Sequence, residues 1–259
     1  MPKTRLDLLM VERGLSESRS LAQRLIMAGQ VRVNGQVVCK PATAISNDSV
    51  LEVDTGPRFV SRGGDKLEAA FLAWPVDVTG CVCADVGSST GGFTDCLLQH
   101  GAAKVYAIDV GKGILHWKLR SDPRVVVMEG TNARYVESLP EPVSLVTIDA
   151  SFISLKVLLP VVKEWGENII TLIKPQFEAG RKETAKGEGV IRDPDVHRRV
   201  LEEVLTFAQE NGLTVQGLIR SPVLGPKGNV EFLAWLNTTG KHDAAPLPEM
   251  INVLFQGPG

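Results

Sequence analysis

The chain of 259 residues carries 28 basic and 30 acidic side chains, a formal net charge of −2, and 44% hydrophobic residues. Such a composition supports one large core with a small companion domain, and it excludes a uniformly basic nucleic-acid binder while allowing a local basic patch. No uninterrupted apolar stretch approaches a membrane span, and the opening Met-Pro-Lys-Thr-Arg lacks the apolar centre of a secretion signal, so a cytoplasmic protein that uses no membrane is expected.

Residues 5–13 place Leu6, Leu9 and Met10 at helical spacing and stop at Gly14. Ser16 and Ser18 are candidate caps for a second helix reaching about Ala28, with Leu21, Leu25 and Ile26 on one face and Arg19 and Arg24 off it. The run Val31 to Val38 alternates around Asn34-Gly35, a strong hairpin signal. The first forty residues hold seven basic side chains (Lys3, Arg5, Arg13, Arg19, Arg24, Arg32, Lys40) against three acidic ones. Two helices and a small sheet fill residues 1–55, and residues 56–64, opened by Gly56-Pro57, read as an interdomain linker.

Residues 65–240 form a second domain in which, from residue 81, strand and helix alternate. Strands are expected near 81–86, 104–109, 125–129, 143–149, 168–174, 213–220 and 229–236, with helices including Leu155 to Trp165 and Val196 to Gln209. That pattern describes an α/β fold with a doubly wound parallel sheet. Residues 241–259 are set apart as a tail, because Val253 to Pro258 looks like the remnant of a protease-cleavable tag.

The run from Cys81 to Asp95 breaks an apolar strand into a glycine turn where a helix would start. Gly87, Gly91 and Gly92 let the backbone take positive φ and approach a ligand whose negative end favours helix N–H groups. Asp109 ends the next apolar run, where a carboxylate accepts both hydroxyls of a ribose. The spacing departs from the dinucleotide fingerprint, and a carboxylate ahead of the first glycine suits an ammonium better than a pyrophosphate. S-adenosylmethionine has that ammonium and no phosphate. Asp85 and the turn Gly87, Ser88, Ser89, Thr90, Gly91, Gly92, Phe93 and Thr94 are expected to hold its methionine end, Asp109 its ribose and Asn132 its adenine edge. Phe152 is read either as a wall of that site or as core.

Ligands of doubly wound sheets sit beyond the carboxyl ends of the strands. Asp149 and Lys174 each finish a strongly apolar run, Glu231 stands at the start of the last strand, and Lys66 opens a helix ahead of the first. A lysine at such an end is a poor core residue, since burying an unpaired ammonium is costly. A second cation and partial desolvation would draw the Lys174 amine toward neutrality, letting it take a proton from a hydroxyl, with Asp149 and Glu231 orienting the ammonium groups. Whether it acts as base or as hydrogen-bonding guide is left open by the residue types. Lys182, Lys186 and Arg192 fall in a glycine-containing stretch from Glu178 to Asp193, either a substrate-side lid or a solvated loop. Cys39, Cys81, Cys83 and Cys96, like His100, His116, His197 and His242, show no ligand spacing, so no metal is expected.

Arg5-Leu-Asp, Ser18 to Arg24 and Gly29 to Gly35 resemble the S4 domain, a small RNA-binding module. The resemblance implies phosphate contacts at Arg5, Arg19 and Arg24, and further ones at Lys3, Arg32 and Lys40. Lys66, Asp149, Lys174 and Glu231 resemble the Lys-Asp-Lys-Glu tetrad of FtsJ-type ribose 2′-O-methyltransferases. With Ser61-Arg-Gly, Asp85 to Asp95, Asp149 to Leu155 and Lys174 to Glu178, the chain resembles the TlyA family, also called hemolysin A. That resemblance implies a seven-stranded class I sheet with an antiparallel last strand, S-adenosylmethionine as cofactor, and 2′-O-methylation of cytidine in 16S or 23S ribosomal RNA within subunits or their precursors. The competing readings are a cytolysin, for which the sequence offers no pore-forming segment, and a noncatalytic RNA-binding assembly factor.

Overall fold

The computed structural model describes residues 2–54, 56–240 and 245–256, apart from the side chains of Arg181, Lys182 and Lys186. It divides into two units, Met1–Arg58 and Phe59–Gly259.

The first unit runs β1 (Lys3–Arg5), α1 (Leu6–Glu12), α2 (Arg19–Met27), β2 (Val31–Val33), β3 (Gln36–Val37), β4 (Ala44–Ser46) and β5 (Leu51–Val53). The β1 strand pairs antiparallel with β4, and β2 lies between β3 and β5. The Ser18 hydroxyl caps α2 by accepting from Leu21 N–H at 3.2 Å. Asn34 and Gly35 both take positive φ, as a tight hairpin turn between twisted strands requires. Leu6, Leu9, Met10, Ala22, Ile26, Val31 and Ile45 form the core. The sequence pattern shows both helices and the hairpin but not β1, β4 or β5, which at three residues each are too short to display a period.

The second unit continues with α3 (Gly63–Ala73), β6 (Val82–Val86), α4 (Gly92–Gln99), β7 (Lys104–Asp109), α5 (Trp117–Arg120), β8 (Val125–Glu129) and β9 (Val143–Ile148). It is completed by α6 (Leu155–Val162), β10 (Gly166–Ile173), α7 (Pro175–Glu178), α8 (Arg181–Lys186), α9 (Pro194–Glu210), β11 (Thr214–Arg220), β12 (Phe232–Asn237) and α10 (Leu247–Phe255). The sheet order is β11-β12-β10-β9-β6-β7-β8, and β12 runs antiparallel to both neighbours. Alternate strand residues feed opposite layers. Ala84, Val86, Ile108 and Ile148 pack with α6 and α9, whereas Cys83, Val105, Ala107 and Leu145 pack with α3 and α4.

Four expectations change. The linker is shorter than residues 56–64, because the Phe59 ring is buried and fills the space where a Gly64 Cβ would stand, 2.2 Å from its Cγ. The last strand begins at Phe232 rather than near 229. The stretch from Glu178 to Asp193 contains α8 and is not a plain loop; the Lys182 and Lys186 side chains lie outside the described residues, while Arg192 is exposed. The tail joins the fold: Ile251 of α10 is fully buried, and Phe255 lies 6.2 Å from the Phe232 ring. An apolar face at helical spacing outweighs the tag-like sequence written across it. His242 lies outside the described residues.

Candidate active site

The N-terminal ends of α3 and α4 meet through glycine. A Cβ on Gly92 would stand 2.4 Å from Ser61 Oγ and 2.8 Å from Gly64 N, so only glycine permits this approach. The Asp95 carboxylate ties the entry to α3 by accepting from Val60 N–H at 2.9 Å. Lys66, one turn into α3, is thereby delivered to the turn after β6. Its Nζ donates to Glu231 Oε2 at 2.6 Å, across 165 positions of sequence. Glu231 immediately precedes the reversed strand β12, and it receives Gln176 Nε2 on Oε1 at 3.0 Å.

Asp149 and Lys174 leave the neighbouring ends of β9 and β10, which are paired in parallel. Lys174 Nζ lies 2.5 Å from Asp149 Oδ1 and donates to Ser151 Oγ at 3.0 Å. Each ammonium thus faces one carboxylate, and the formal charges of the four groups cancel. The Lys66 and Lys174 side chains are only 9% and 8% exposed, so both pairs are largely withdrawn from water. Lys66, Asp149 and Lys174 line one cavity of about 350 Å³ with Ser61, Ser88 and Ser151, and Glu231 backs Lys66 from behind Gly225.

A second cavity of about 620 Å³ adjoins it, sharing Gly87, Ser89, Asp149 and Ser151. Its floor is apolar (Val86, Ile108, Ala133, Ile153, Leu158), and Asp109, Thr131 and Asn132 supply polar groups. The two Asp109 oxygens accept from Ser89 N–H at 2.8 Å and Gly111 N–H at 2.7 Å, which aims the carboxylate and leaves each oxygen a further lone pair. Ser89 and Phe152 hold positive φ, a conformation such residues adopt only where the surroundings impose it. Size, apolar floor and a carboxylate for a vicinal diol fit a nucleoside. The donor set therefore suits the adenosine of S-adenosylmethionine.

The glycine turn contributes less uniformly than its sequence suggested. Gly87, Ser88, Ser89, Thr90, Gly92 and Phe93 line the first cavity, but Asp85, Gly91 and Thr94 line neither. Asp85 was expected to meet the ammonium group of the ligand. It is instead fully buried on the α4 side of the sheet, accepting from Thr94 Oγ1 at 2.6 Å and Thr147 Oγ1 at 3.1 Å. Burial pushes its carboxyl up to about 7, against the pull of those hydroxyls. Gly91 has φ +98° and packs under Leu119, whose Cδ1 would meet a Cβ at 2.1 Å. Phe152 is 91% exposed, so it is not core; it borders the larger cavity, with its ring 4.9 Å from Phe177.

Sequence reasoning missed Ser61, Ser151, Gln176 and Gly225. The first three lie inside the motifs Ser61-Arg-Gly, Asp149 to Leu155 and Lys174 to Glu178, as uncharged polar residues that carry no local mark of a site. Gly225 is held by Asn229, which caps the turn from both sides: Gly225 N–H donates to its carbonyl at 2.8 Å, and its amide nitrogen reaches Pro226 O and Gly189 O at 3.0 Å. Cys96 and His100, read as lacking ligand spacing, lie one turn apart with Glu68 of α3 beside them.

In the first unit, Lys3, Arg19, Arg24, Arg32 and Lys40 are exposed and Arg5 half-buried. Two of these arginines also serve the fold. Arg5 grips the fully buried Asp7 through Nε and Nη2 at 3.0 and 2.9 Å, and Arg19 Nε and Gln23 Nε2 reach the same carboxylate at 3.0 and 2.9 Å. The bond from Arg5, foremost among these, holds the Asp7 carboxyl well below the usual range.

The FtsJ-like methyltransferase family matches residues 59–238, and the S4 domain matches residues 4–50. The chain is 46% identical over 243 residues to the 16S/23S rRNA (cytidine-2′-O)-methyltransferase TlyA of Mycobacterium tuberculosis, covering 91% of this chain and 90% of that protein. It is 43% identical over 236 residues to Hemolysin A of Brachyspira hyodysenteriae, covering 89% and 98%. A solved structure described as a putative hemolysin from Streptococcus thermophilus matches 98% of this chain and 96% of its own, with a TM-score of 0.71 at 42% identity. Among the described residues, no helix is long and apolar enough to cross a membrane.

Proposed function

We propose a reaction for this chain, which belongs to the TlyA family of FtsJ-like methyltransferases with an S4 domain: it methylates the 2′-oxygen of a cytidine ribose in ribosomal RNA. S-adenosylmethionine, the donor, supplies a methyl carbon made electrophilic by its sulfonium. Asp109 would hold the ribose of that donor, Asn132 the adenine edge, and the turn from Gly87 to Phe93 the methionine end. The observation that carries the reading is the convergence of Lys66, Asp149 and Lys174 on one cavity that shares a wall with the nucleoside-shaped one.

A ribose hydroxyl is a poor nucleophile near neutral pH, so its proton needs a destination. The neutral amine form of Lys174 would take that proton on Nζ. Asp149 Oδ1 and Ser151 Oγ accept from the ammonium that results and fix its direction. Lys66, restrained by Glu231 and through it by Gln176, presents a second cation to the oxygen as negative charge builds on it. Exclusion of water strengthens both interactions.

The S4 unit would bring the RNA by its phosphates, through Arg5, Arg19, Arg24, Lys3, Arg32 and Lys40, giving affinity with little choice of sequence. The substrate would be a ribosomal subunit or its precursor, in the cytoplasm. Ribosomal subunits from cells lacking the protein, incubated with it and methyl-labelled cofactor, should gain a 2′-O-methylated cytidine. Lys174→Ala should lower that rate at least about 100-fold with the fold intact by circular dichroism. Full activity in the variant would overturn the assignment.

A further inference from the structure

Three groups with metal-ligating atoms meet on α3 and α4, away from the tetrad. Cys96 lies on α4 and His100 caps its C-terminal end, one turn later, so both face the same way. Glu68 comes from α3, two positions after Lys66 and therefore about 200° around the helix from it. Glu68 Oε2 is 2.6 Å from His100 Nε2 and 3.8 Å from Cys96 Sγ, and the three ligand atoms fall within 4.8 Å of one another. None of the three lines either cavity of the active site.

We propose that Glu68, Cys96 and His100 bind a zinc ion that fastens α3 to α4, with water as fourth ligand. Tetrahedral zinc with nitrogen, oxygen and sulfur ligands sets those atoms about 3.3–3.6 Å apart; Glu68 Oε2 and His100 Nε2 would separate by less than about 1 Å, and Glu68 Oε2 and Cys96 Sγ already stand near that spacing. A thiolate and a carboxylate neutralise the dication, which a largely enclosed site requires. Sulfur and imidazole together select zinc over calcium or magnesium. Cys96 is fully buried, while the Glu68 and His100 side chains are 15% and 31% exposed, leaving an opening for the ion and its water. The Phe71 ring, 4.5 Å from that of His100, limits the imidazole's freedom. Binding releases the Cys96 thiol proton and leaves His100 neutral, with Nε2 on the metal.

The test uses the whole chain, stripped with a chelator and titrated with cobalt(II), whose bond to thiolate gives a near-ultraviolet charge-transfer band. One equivalent of cobalt should develop the band, and zinc should abolish it and raise the thermal midpoint. Cys96→Ser should lose the band, and Glu68→Gln and His100→Gln should weaken cobalt binding at least about tenfold. No band in the parent chain overturns the proposal, and so does a band retained in Cys96→Ser, since another cysteine would then be the ligand. If Cys96→Ser fails to fold by circular dichroism, the partly exposed His100→Gln decides: unchanged cobalt affinity refutes the site, and a tenfold loss supports it.

Discussion

Gly225 stands so close to Glu231 that a Cβ at position 225 would fall 2.1 Å from Oε1 of that carboxylate. Its φ of −69° and ψ of −175° are open to any residue, so the restriction is one of space and not of backbone. Gly225→Ala should push Glu231 off Lys66 and lower kcat by at least about tenfold, with smaller effect on the cofactor's Kd. Steady-state methyl transfer and calorimetry on the same sample check this; an unchanged kcat would mean that the Lys66–Glu231 pair is dispensable.

Asp85 gives a pH prediction of definite sign. Its folded value, pushed up to about 7 from 3.8, means the folded chain binds the extra proton between those limits. Stability contributed by this group is therefore complete at low pH and declines as pH rises through about 7. Asp85→Asn removes that decline and keeps an acceptor for the Thr94 hydroxyl. In urea melts the variant should gain on the parent by a few kcal/mol between about pH 5 and about pH 8. A constant difference across that interval would contradict the buried, protonatable carboxyl.

In the S4 unit, two classes of arginine should separate experimentally. Arg24 is exposed and has no role in the Asp7 cluster, so Arg24→Ala should reduce the salt slope of RNA binding by about one and leave the melting temperature unchanged. Arg5→Ala should also lower the melting temperature, because it strips the foremost partner from a fully buried carboxylate. Asp7's folded value lies below its unfolded one, so its contribution is present above about pH 4 and fades as pH falls further. Equal melting temperatures for the two variants would remove the structural role given to Arg5.

The C-terminal helix α10 offers a stability test remote from the chemistry. Ile251 is wholly enclosed, and the Arg198 guanidinium lies 4.9 Å over the Phe255 ring. Ile251→Ala should cost about 2–4 kcal/mol in denaturant midpoints through the cavity it leaves. A loss below about 0.5 kcal/mol would show that α10 is only lightly held.

The sheet was legible in the sequence because buried parallel strands are long apolar runs, and each charged residue ending a run marks the rim. Asp149, Lys174 and Asp109 could be placed in that way from sequence alone. Asp85 could not, because a carboxylate one pleat before a glycine turn points to the ligand or into the sheet according to register, and Thr94 and Thr147 draw it inward. Gly225 escaped notice since its significance lies in what occupies the space beside it. Cys96 and His100 acquire a third partner only when α3 packs on α4, a contact no local spacing records.

The reversed strand β12 also sets an order of events during synthesis. Lys66 leaves the ribosome 165 residues ahead of Glu231, the carboxylate that neutralises it. Until the final strand takes its place between β10 and β11, Lys66 is without this partner, and the rim that carries Asp149 and Lys174 is without Glu231. A chain stalled before residue 231 would hold the whole S4 unit yet lack the carboxylate that pairs with Lys66.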